Sequence, residues 1–180
     1  MNKQTSNSPS NTVAKLQEFE ARVEKLKGPL FAYLGRLGFD LRTAEDLAQD
    51  TFLKAWRANA QFDERKAQYS TWLFRIARNV AFDAMRQRQK VVETANTDQV
   101  MDAPDTSAVS DAIHMEQLQQ RLNVALARLS AEDQETIALS GIEQLTNEEA
   151  AAIVGCSTAT YRTRLSRARA RLKNQWELLT

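Results

Sequence analysis

The sequence contains few of the residues that most often carry catalysis, bind metals or form disulfides. Its 180 residues include one cysteine, one histidine, five glycines and three prolines. A single cysteine excludes a disulfide framework and a thiolate metal cluster within the chain, and a single histidine excludes a two-histidine metal site. The glycines form no phosphate-binding motif such as G-x-G-x-x-G. We therefore expect no catalytic residues, no metal and no cofactor.

Long hydrophobic runs and a secretory signal are also missing. No stretch of about 18 apolar residues occurs, and the first residues, MNKQTSNSPSNT, have no apolar core typical of a signal peptide. Because 43% of the residues are apolar, the chain can still bury an ordinary core. We expect a cytoplasmic protein that does not insert into a membrane.

Charge is nearly balanced overall but is segregated along the chain. The formal net charge is +1. Residues 1–92 hold 16 basic and 10 acidic residues, whereas residues 93–115 hold five acidic residues and no basic ones. Residues 116–180 hold eight of each sign, and six of those eight basic residues lie within 162–173. Such asymmetry is typical of proteins that bind nucleic acid.

Helical periodicity predicts an all-α fold of two small helical domains joined by a flexible acidic linker. No segment shows the sustained alternation that predicts a strand. The linker is predicted because its residues include no Leu, Phe, Trp or Tyr and carry the acidic run. The predicted segments are a disordered tail at 1–11, a first domain at 12–90, the linker at 91–112 and a second domain at 113–180.

Turn and capping residues predict the helix boundaries of the first domain. The Gly28-Pro29 pair interrupts a helical stripe and predicts a new helix that ends near Gly38. Thr43 is a predicted N-cap for the next helix, and Ser70 is a predicted N-cap for a long helix after a polar loop.

The second domain ends in the spacing of a helix-turn-helix. Ser130 is a predicted N-cap, residues 146–149 have the pattern of a capping box, and Gly155 and Ser157 mark a tight turn before a basic helix. On that helix one arc carries the apolar residues Tyr161, Leu165, Ala168 and Leu172. The opposite side carries Arg162, Thr163, Ser166, Arg167, Ala170 and Arg171. This second side suits a DNA major groove, and the alternative is an ordinary solvated helix face.

Two other helix faces are candidate binding surfaces. The outer side of the helix from Ser70 carries the basic and polar residues Arg75, Arg78, Asn79 and Arg86, with Phe82 predicted to be exposed among them. Aromatic rings among cations suit unpaired bases, although Phe82 could instead pack on a neighbouring helix. The helix before it carries Asp46, Gln49, Asp50, Leu53 and Arg57 along one line. That mixed acidic face suits a basic partner helix, or is simply solvated.

Three stretches resemble extracytoplasmic-function (ECF) sigma factors of bacterial RNA polymerase. The sequences AEDLAQDTFLKAWRA (44–58) and YSTWLFRIARNVAFDAMRQR (69–88) resemble region 2 of that family, and residues 129–172 resemble its region 4. Helix-turn-helix endings also occur in other regulators, whereas the region 2 stretches are more diagnostic. The resemblance implies an alternative sigma factor that binds core polymerase, recognises the minus-35 and minus-10 promoter elements and stabilises melted DNA.

The resemblance also implies roles for individual residues. Core polymerase, through the clamp helices of its largest subunit and the flap, is the implied protein partner. The implied core-binding residues are Asp46, Gln49, Asp50 and Leu53. The implied minus-10 residues are Phe62, Tyr69, Trp72, Arg75, Arg78, Asn79, Phe82 and Arg86. The implied minus-35 residues are Ser157, Thr160, Arg162, Thr163, Ser166, Arg167 and Arg171.

Members of this family are commonly held inactive by an anti-sigma factor, often one anchored in the inner membrane, so such a partner is expected here. Two other classes stay open on the residues alone. A helix-turn-helix regulator could act without replacing sigma, with residues 12–92 as a sensing domain. A nucleic-acid-processing enzyme would need a metal or nucleotide site, for which the sequence offers no motif.

Overall fold

The computed structural model describes residues 9–95, 110–143 and 145–179, and these residues form helices joined by short turns. No strand occurs in these ranges, which agrees with the predicted all-α class. None of the helices described is both long and apolar enough to span a bilayer. The helices are α1 (Pro9–Arg36), α2 (Leu41–Ala58), α3 (Tyr69–Ala95), α4 (Ser110–Ala127), α5 (Ala131–Ser140), α6 (Asn147–Val154) and α7 (Thr158–Glu177).

The capping residues predicted for the second part of the chain are confirmed. The Ser130 hydroxyl accepts a hydrogen bond from the Asp133 amide at the start of α5. Thr146 and Glu149 form a reciprocal capping box at the start of α6. Ser157 caps α7 in the same way. Each cap satisfies an amide that the first turn of a helix leaves without a partner.

The predicted break at Gly28-Pro29 is wrong, because α1 runs without interruption to Arg36. Proline inside a helix removes one backbone hydrogen bond and crowds the carbonyl four residues earlier, but here Leu26 and Leu30 on either side of it are both buried. Their burial holds the helix together across the proline. The helix also includes Pro9–Asn11, which had been predicted as tail, whereas residues 1–8 of that tail lie outside the described residues.

Four other boundaries differ from the prediction. Thr43 is not the N-cap of α2, because the carboxylate of Asp40 caps this helix by accepting hydrogen bonds from the Thr43 amide and hydroxyl at 2.9 and 2.7 Å. Ser70 lies inside α3, which begins one residue earlier. Both ends of the predicted linker are helical, since residues 91–95 extend α3 and residues 110–112 begin α4. Its remainder, 96–109, lies outside the described residues.

The hydrophobic core is continuous between the N-terminal half (α1–α3) and the C-terminal half (α4–α7). Helix α3 packs against α6, and α1 packs against α5. One cluster of buried residues includes Tyr33 and Phe74 from the first half together with Leu139, Ile142 and Tyr161 from the second. The two halves are therefore directly packed, an arrangement that the linker prediction did not anticipate.

Candidate nucleic-acid and polymerase interfaces

The helix-turn-helix is built from α6, the turn at Gly155 and α7. Gly155 has a left-handed backbone (φ 84°) that ends α6 and redirects the chain. On α7, Tyr161 is fully buried and its hydroxyl donates a 3.0 Å hydrogen bond to the carbonyl of Thr136 in α5. Burial raises the pKa of Tyr161 to about 12, so the hydroxyl stays a donor at neutral pH. This anchor fixes which side of α7 faces outward.

The outward side of α7 is exposed along its length, as predicted. Arg162, Thr163, Ser166, Arg167, Ala170 and Arg171 are all exposed. Arg162 donates to Glu148 at 3.0 Å, an exposed ion pair that costs little to break. Arg171 is bound more closely, at 2.6 Å, to Asp133 of α5. The exposed guanidinium groups near the start of α7 can therefore turn towards phosphates or base edges.

Ser157 and Thr160, also predicted to contact DNA, have a local structural role. The two hydroxyls lie 2.8 Å apart, and the Ser157 hydroxyl accepts a hydrogen bond from the Thr160 amide. Both residues therefore help to start α7 next to its outward face.

The outer side of α3 is engaged by the C-terminal half. Nε of Arg78 lies 2.5 Å from Oε1 of Glu135 in α5. Both Nε and Nη2 of Arg75 donate to the carbonyl oxygen of Ala152 in α6, at 3.3 and 3.1 Å. Asn79 and Arg86 remain exposed. Of the basic face predicted on this helix, the two central guanidinium groups thus already have partners within the chain.

Phe82 was predicted to be exposed, but the structure does not leave it in solvent. It is partly buried, and the guanidinium of Arg78 lies 4.9 Å from the centre of its ring. The contact is a cation–π interaction within α3. The same Arg78 therefore links Phe82 to Glu135 across the two halves.

Glu135 is a carboxylate with almost no access to water, being only 2% exposed. Burial raises its pKa, and the hydrogen bond and charge of Arg78 oppose that rise without cancelling it. The neighbouring Tyr33 is also buried and its pKa is raised, mainly by desolvation and further by Glu135. Within the described residues the Tyr33 hydroxyl has no hydrogen-bond partner. The polar groups at this contact thus lie in a poorly hydrated environment.

A cluster of aromatic rings forms where the loop after α2 meets α3. The ring centres of Phe62, Tyr69 and Trp72 lie 5.1–5.3 Å from one another. The guanidinium of Arg22 from α1 lies 4.5 Å from the centre of the Tyr69 ring, and it is paired with Glu64 at 2.6 Å. These predicted minus-10 residues are therefore brought together. Arg22 and Glu64 were missed because no local pattern links them to the rings.

The acidic face of α2 is exposed as predicted. Asp46, Gln49, Asp50 and Leu53 all lie on the solvent side. The residues that hold α2 in place are buried on its other side and include Ala44, Ala48, Thr51 and Ala55. The exposed Trp56 extends this face towards α1, where its ring packs at 4.9 Å against that of Phe19.

Candidate sites for other chemistry are few in the described part of the chain. No group of three or more His, Cys, Asp or Glu side chains there could hold a metal ion. Cys156 is partly buried and packs against the core cluster, as expected for a structural residue in the turn.

Comparison with known proteins identifies the family. Residues 22–91 match the Sigma-70 region 2 model, and residues 119–172 match the Sigma-70 region 4 model. Over 144 residues the chain is 30% identical to the ECF RNA polymerase sigma factor SigM of Bacillus subtilis, covering 80% of this chain and 86% of that relative. The chain belongs to the ECF sigma factors.

Further relatives and solved structures agree. This sigma factor is 30% identical over 156 residues to ECF RNA polymerase sigma factor RpoE of Cereibacter sphaeroides, covering 86% of this chain and 82% of the relative. It is similar, with a TM-score of 0.71 and 32% identity, to sigma factor RpoE of Bartonella quintana, solved in complex with the anti-sigma factor NepR. That match covers 89% of this chain and 98% of the other. The protein is thus a factor of transcription initiation.

A second solved structure is similar across both halves. It is CnrH in complex with the cytosolic domain of CnrY, with a TM-score of 0.68 and 25% identity over 92% of this chain and 91% of that one.

Proposed function

We propose that this sigma factor binds core RNA polymerase through the acidic face of α2 and contacts two promoter elements with its two halves. Helix α7 reads the minus-35 element as a duplex, and α3 with the aromatic cluster binds the melted minus-10 element. The observation that carries the proposal is the outward face of α7, which presents Arg162, Thr163, Ser166 and Arg167 to solvent at the start of a helix-turn-helix recognition helix.

The α2 face suits a basic helical partner. Asp46 and Asp50 supply negative charge, and the exposed Leu53 supplies an apolar contact about one helical turn beyond Asp50. Complementary charge steers association and sets the register, while a buried apolar contact contributes affinity. The partner for this face is the pair of clamp helices in the largest polymerase subunit, and the C-terminal half meets the flap.

The minus-10 step uses stacking and charge together. Unpairing bases costs a few kcal/mol, and each stacked base returns about 1–3 kcal/mol. The rings of Phe62, Tyr69 and Trp72 supply stacking surfaces, and Arg75, Arg78 and Arg86 supply cations for the phosphates. Because both halves bind one DNA molecule, each raises the effective concentration of the other at its own element.

A protein partner that restrains this sigma factor is also part of the proposal. Both solved relatives named above are complexes, one with the anti-sigma factor NepR and the other with the cytosolic domain of CnrY. We infer that this cytoplasmic protein is held inactive by an anti-sigma factor. That anti-sigma factor is anchored in the inner membrane and covers the exposed Leu53 and the partly buried Phe82.

Run-off transcription tests the proposal. Purified core polymerase, this protein and sheared genomic DNA from its host should yield discrete transcripts that are absent without the protein. Core binding is measured in parallel by native gel shift. Sequence-specific duplex binding that needs no polymerase, together with no core binding, would instead identify a helix-turn-helix regulator.

A matched pair of double variants tests the role of α7. Arg162→Ala with Arg167→Ala should lower transcription from minus-35-dependent promoters at least tenfold, because a good base contact is worth about 1–3 kcal/mol. Arg169→Ala with Lys173→Ala removes the same charge from exposed positions nearer the C-terminus of α7 and should have a much smaller effect. Both variants should bind core polymerase normally, and loss of core binding by the first would contradict the assignment.

A further inference from the structure

We propose that Arg22 of α1 is a positioning residue for promoter binding. It attaches the segment between α2 and α3, residues 59–68, to α1 and keeps the aromatic cluster of Phe62, Tyr69 and Trp72 assembled before DNA binds. We call residues 59–68 the promoter loop. This inference deepens the proposed function and rests on it, because the aromatic cluster is the proposed stacking surface for the melted minus-10 element.

Arg22 contacts two carboxylates and two aromatic rings at once. Its Nη2 donates to Oε1 of Glu18, one turn earlier on α1, at 2.5 Å and to Oε1 of Glu64 in the promoter loop at 2.6 Å. The guanidinium carbon lies 4.5 Å from the centre of the Tyr69 ring and 5.5 Å from that of Phe62. One side chain of α1 therefore holds both the promoter loop and the start of α3.

The three rings of the aromatic cluster are supported differently. Tyr69 and Trp72 pack against a buried cluster to which α1, α2 and α3 each contribute one residue, namely Leu26, Ala55 and Leu73. Phe62 lies on the promoter loop instead and meets the other two rings at 5.1 and 5.2 Å. The position of the Phe62 ring therefore depends on how the loop is held.

The promoter loop has internal hydrogen bonds that shape its turn. The Lys66 amide donates to the Asp63 carbonyl at 2.9 Å, and the Asp63 carboxylate accepts hydrogen bonds from Arg65. These bonds stay within the loop and do not attach it to a helix. The attachment to α1 comes from Glu64, through the Arg22–Glu64 contact.

The surroundings of Arg22 suit positioning better than DNA contact. Its side chain is 23% exposed, it already donates to two carboxylates, and its guanidinium lies over a ring. Little of the group is left for a phosphate. A loop that is held in place beforehand loses less conformational entropy when DNA binds, so preorganisation raises affinity without a new contact.

The Arg22–Glu64 contact should add little to global stability. Glu18 and Glu64 are 61% and 72% exposed, and exposed ion pairs are weak. Arg22→Ala should therefore lower Tm by less than about 4 °C. Thermal unfolding followed by circular dichroism measures this shift. A large loss of DNA binding with a small loss of stability is the result that positioning predicts.

Limited proteolysis of the free full chain tests the attachment of the loop. Trypsin cleaves after Arg65 and Lys66, which are both exposed in the promoter loop, and the rate reports how often the loop detaches. Arg22→Ala should raise that rate about tenfold, because an ion pair and a cation–π contact are lost together. The matched control is Lys15→Ala, which removes the same charge from the same side of α1 and should leave the rate unchanged.

Variants of the two carboxylates test the same contact from the other side. Glu64→Ala should raise loop cleavage about threefold, whereas Glu18→Ala, which removes the partner within α1, should not. The double variant Arg22→Ala with Glu64→Ala should be cleaved no faster than Arg22→Ala alone, because both residues act through one contact. Each rate is divided by that of a synthetic peptide with the same loop sequence, which corrects for the effect of Glu64 on trypsin itself.

Binding of minus-10 DNA by the holoenzyme tests the functional consequence. The probe is a fluorescein-labelled single strand with the minus-10 sequence of a promoter found by run-off transcription, and fluorescence anisotropy is the readout. Arg22→Ala should weaken binding about tenfold. Arg22→Lys keeps the charge but not the planar group over the Tyr69 ring, so it should weaken binding less. Lys15→Ala should bind as the wild type does.

The salt dependence of that binding separates positioning from direct contact. Each phosphate contact to a single strand contributes about 0.7 to the slope of log K against log salt concentration. Arg22→Ala should leave the slope unchanged. Arg86→Ala, which removes an exposed cation of α3 proposed to meet phosphate, should reduce it by about 0.7. A reduced slope for Arg22→Ala would make Arg22 a DNA contact and overturn the positioning role.

The outcomes for positioning and for sigma activity are distinguishable. Equal loop cleavage in Arg22→Ala and Lys15→Ala would overturn the proposal whether or not the wild type supports transcription. Faster cleavage of Arg22→Ala with unchanged binding of minus-10 DNA would overturn its role in promoter binding. A wild type that gives no transcripts with core polymerase would refute the proposed function, and the promoter role of Arg22 with it, while loop cleavage would still report the Arg22–Glu64 contact.

Discussion

The outer side of α3 and the outward side of α7 carry the same kind of residues but have different surroundings. Both are arginine-rich helix faces predicted to meet DNA. On α3 the guanidinium of Arg78 meets the buried Glu135 of the other half, whereas on α7 the guanidinium of Arg162 meets the exposed Glu148. Whether the guanidinium groups of such a face can bind DNA therefore depends on whether the carboxylate that they pair with is buried or exposed. Composition does not reveal that burial.

The largest expected change in stability comes from replacing Tyr161, the buried residue that fixes which side of α7 faces outward. Tyr161→Ala should lower the free energy of unfolding by about 3–5 kcal/mol, because a large buried aromatic side chain is lost. Tyr161→Phe, which removes only the hydrogen bond to the Thr136 carbonyl, should cost about 1 kcal/mol. Urea denaturation followed by circular dichroism measures both. A loss below 1 kcal/mol for the alanine variant would contradict this anchoring role.

A smaller change in the free energy of unfolding should distinguish the arginine-rich face of α3 from that of α7. Arg78→Ala leaves Glu135 buried without its partner and should lower the free energy of unfolding by about 1–3 kcal/mol. Arg167→Ala, at an exposed position on α7, should change it by less than about 0.5 kcal/mol. Equal effects in urea denaturation would remove the distinction between the faces.

The smallest effect concerns pH and applies to the α3 side alone. Because burial raises the pKa of Glu135 in the folded protein above the ordinary value of 4.5, the folded state binds more protons at this site than the unfolded chain does. This site should therefore contribute most to stability below pH 4.5, and that contribution should be lost as the pH rises through the raised pKa. The charged or titratable groups that interact with Glu135 are Arg78, Glu132, Arg164, Tyr33 and Tyr161.

Urea denaturation over this pH range provides the readout. The free energy of unfolding of the wild type, relative to that of Glu135→Gln, should increase as the pH falls. An identical pH profile for the two proteins would exclude Glu135 as the responsible group.

Local signals predicted much of the second half of the chain. Ser130, Ser157 and the Thr146–Glu149 box each act within one helical turn, and all three occur as predicted. The apolar arc of α7 was also predicted, because a period of 3.6 residues alone places Tyr161, Leu165 and Ala168 on one side. Caps and periodicity succeed where the relevant atoms are only a few residues apart.

The errors had both local and long-range causes. Gly28-Pro29 is a reasonable break in an isolated helix, but burial of Leu26 and Leu30 keeps α1 continuous. Thr43 is a good capping residue, but Asp40 lies one position before the helix and takes the N-cap role. Its carboxylate accepts hydrogen bonds from both the amide and the hydroxyl of Thr43. Phe82 was predicted either to be exposed or to pack on a neighbouring helix, and it is partly buried against Arg78, which is itself bound by the opposite half.

The amino-acid order alone was enough to predict the all-α class, the caps of the second half, the outward faces of α2 and α7 and the resemblance to the sigma family. It could not establish that Arg78 meets a carboxylate 57 residues away, or that Arg75 meets a carbonyl 77 residues away. Caps and periodicity depend on neighbouring residues, so the sequence displays them directly. The contact between the halves depends on the fit of two complete surfaces, and those surfaces exist only after each set of helices has packed.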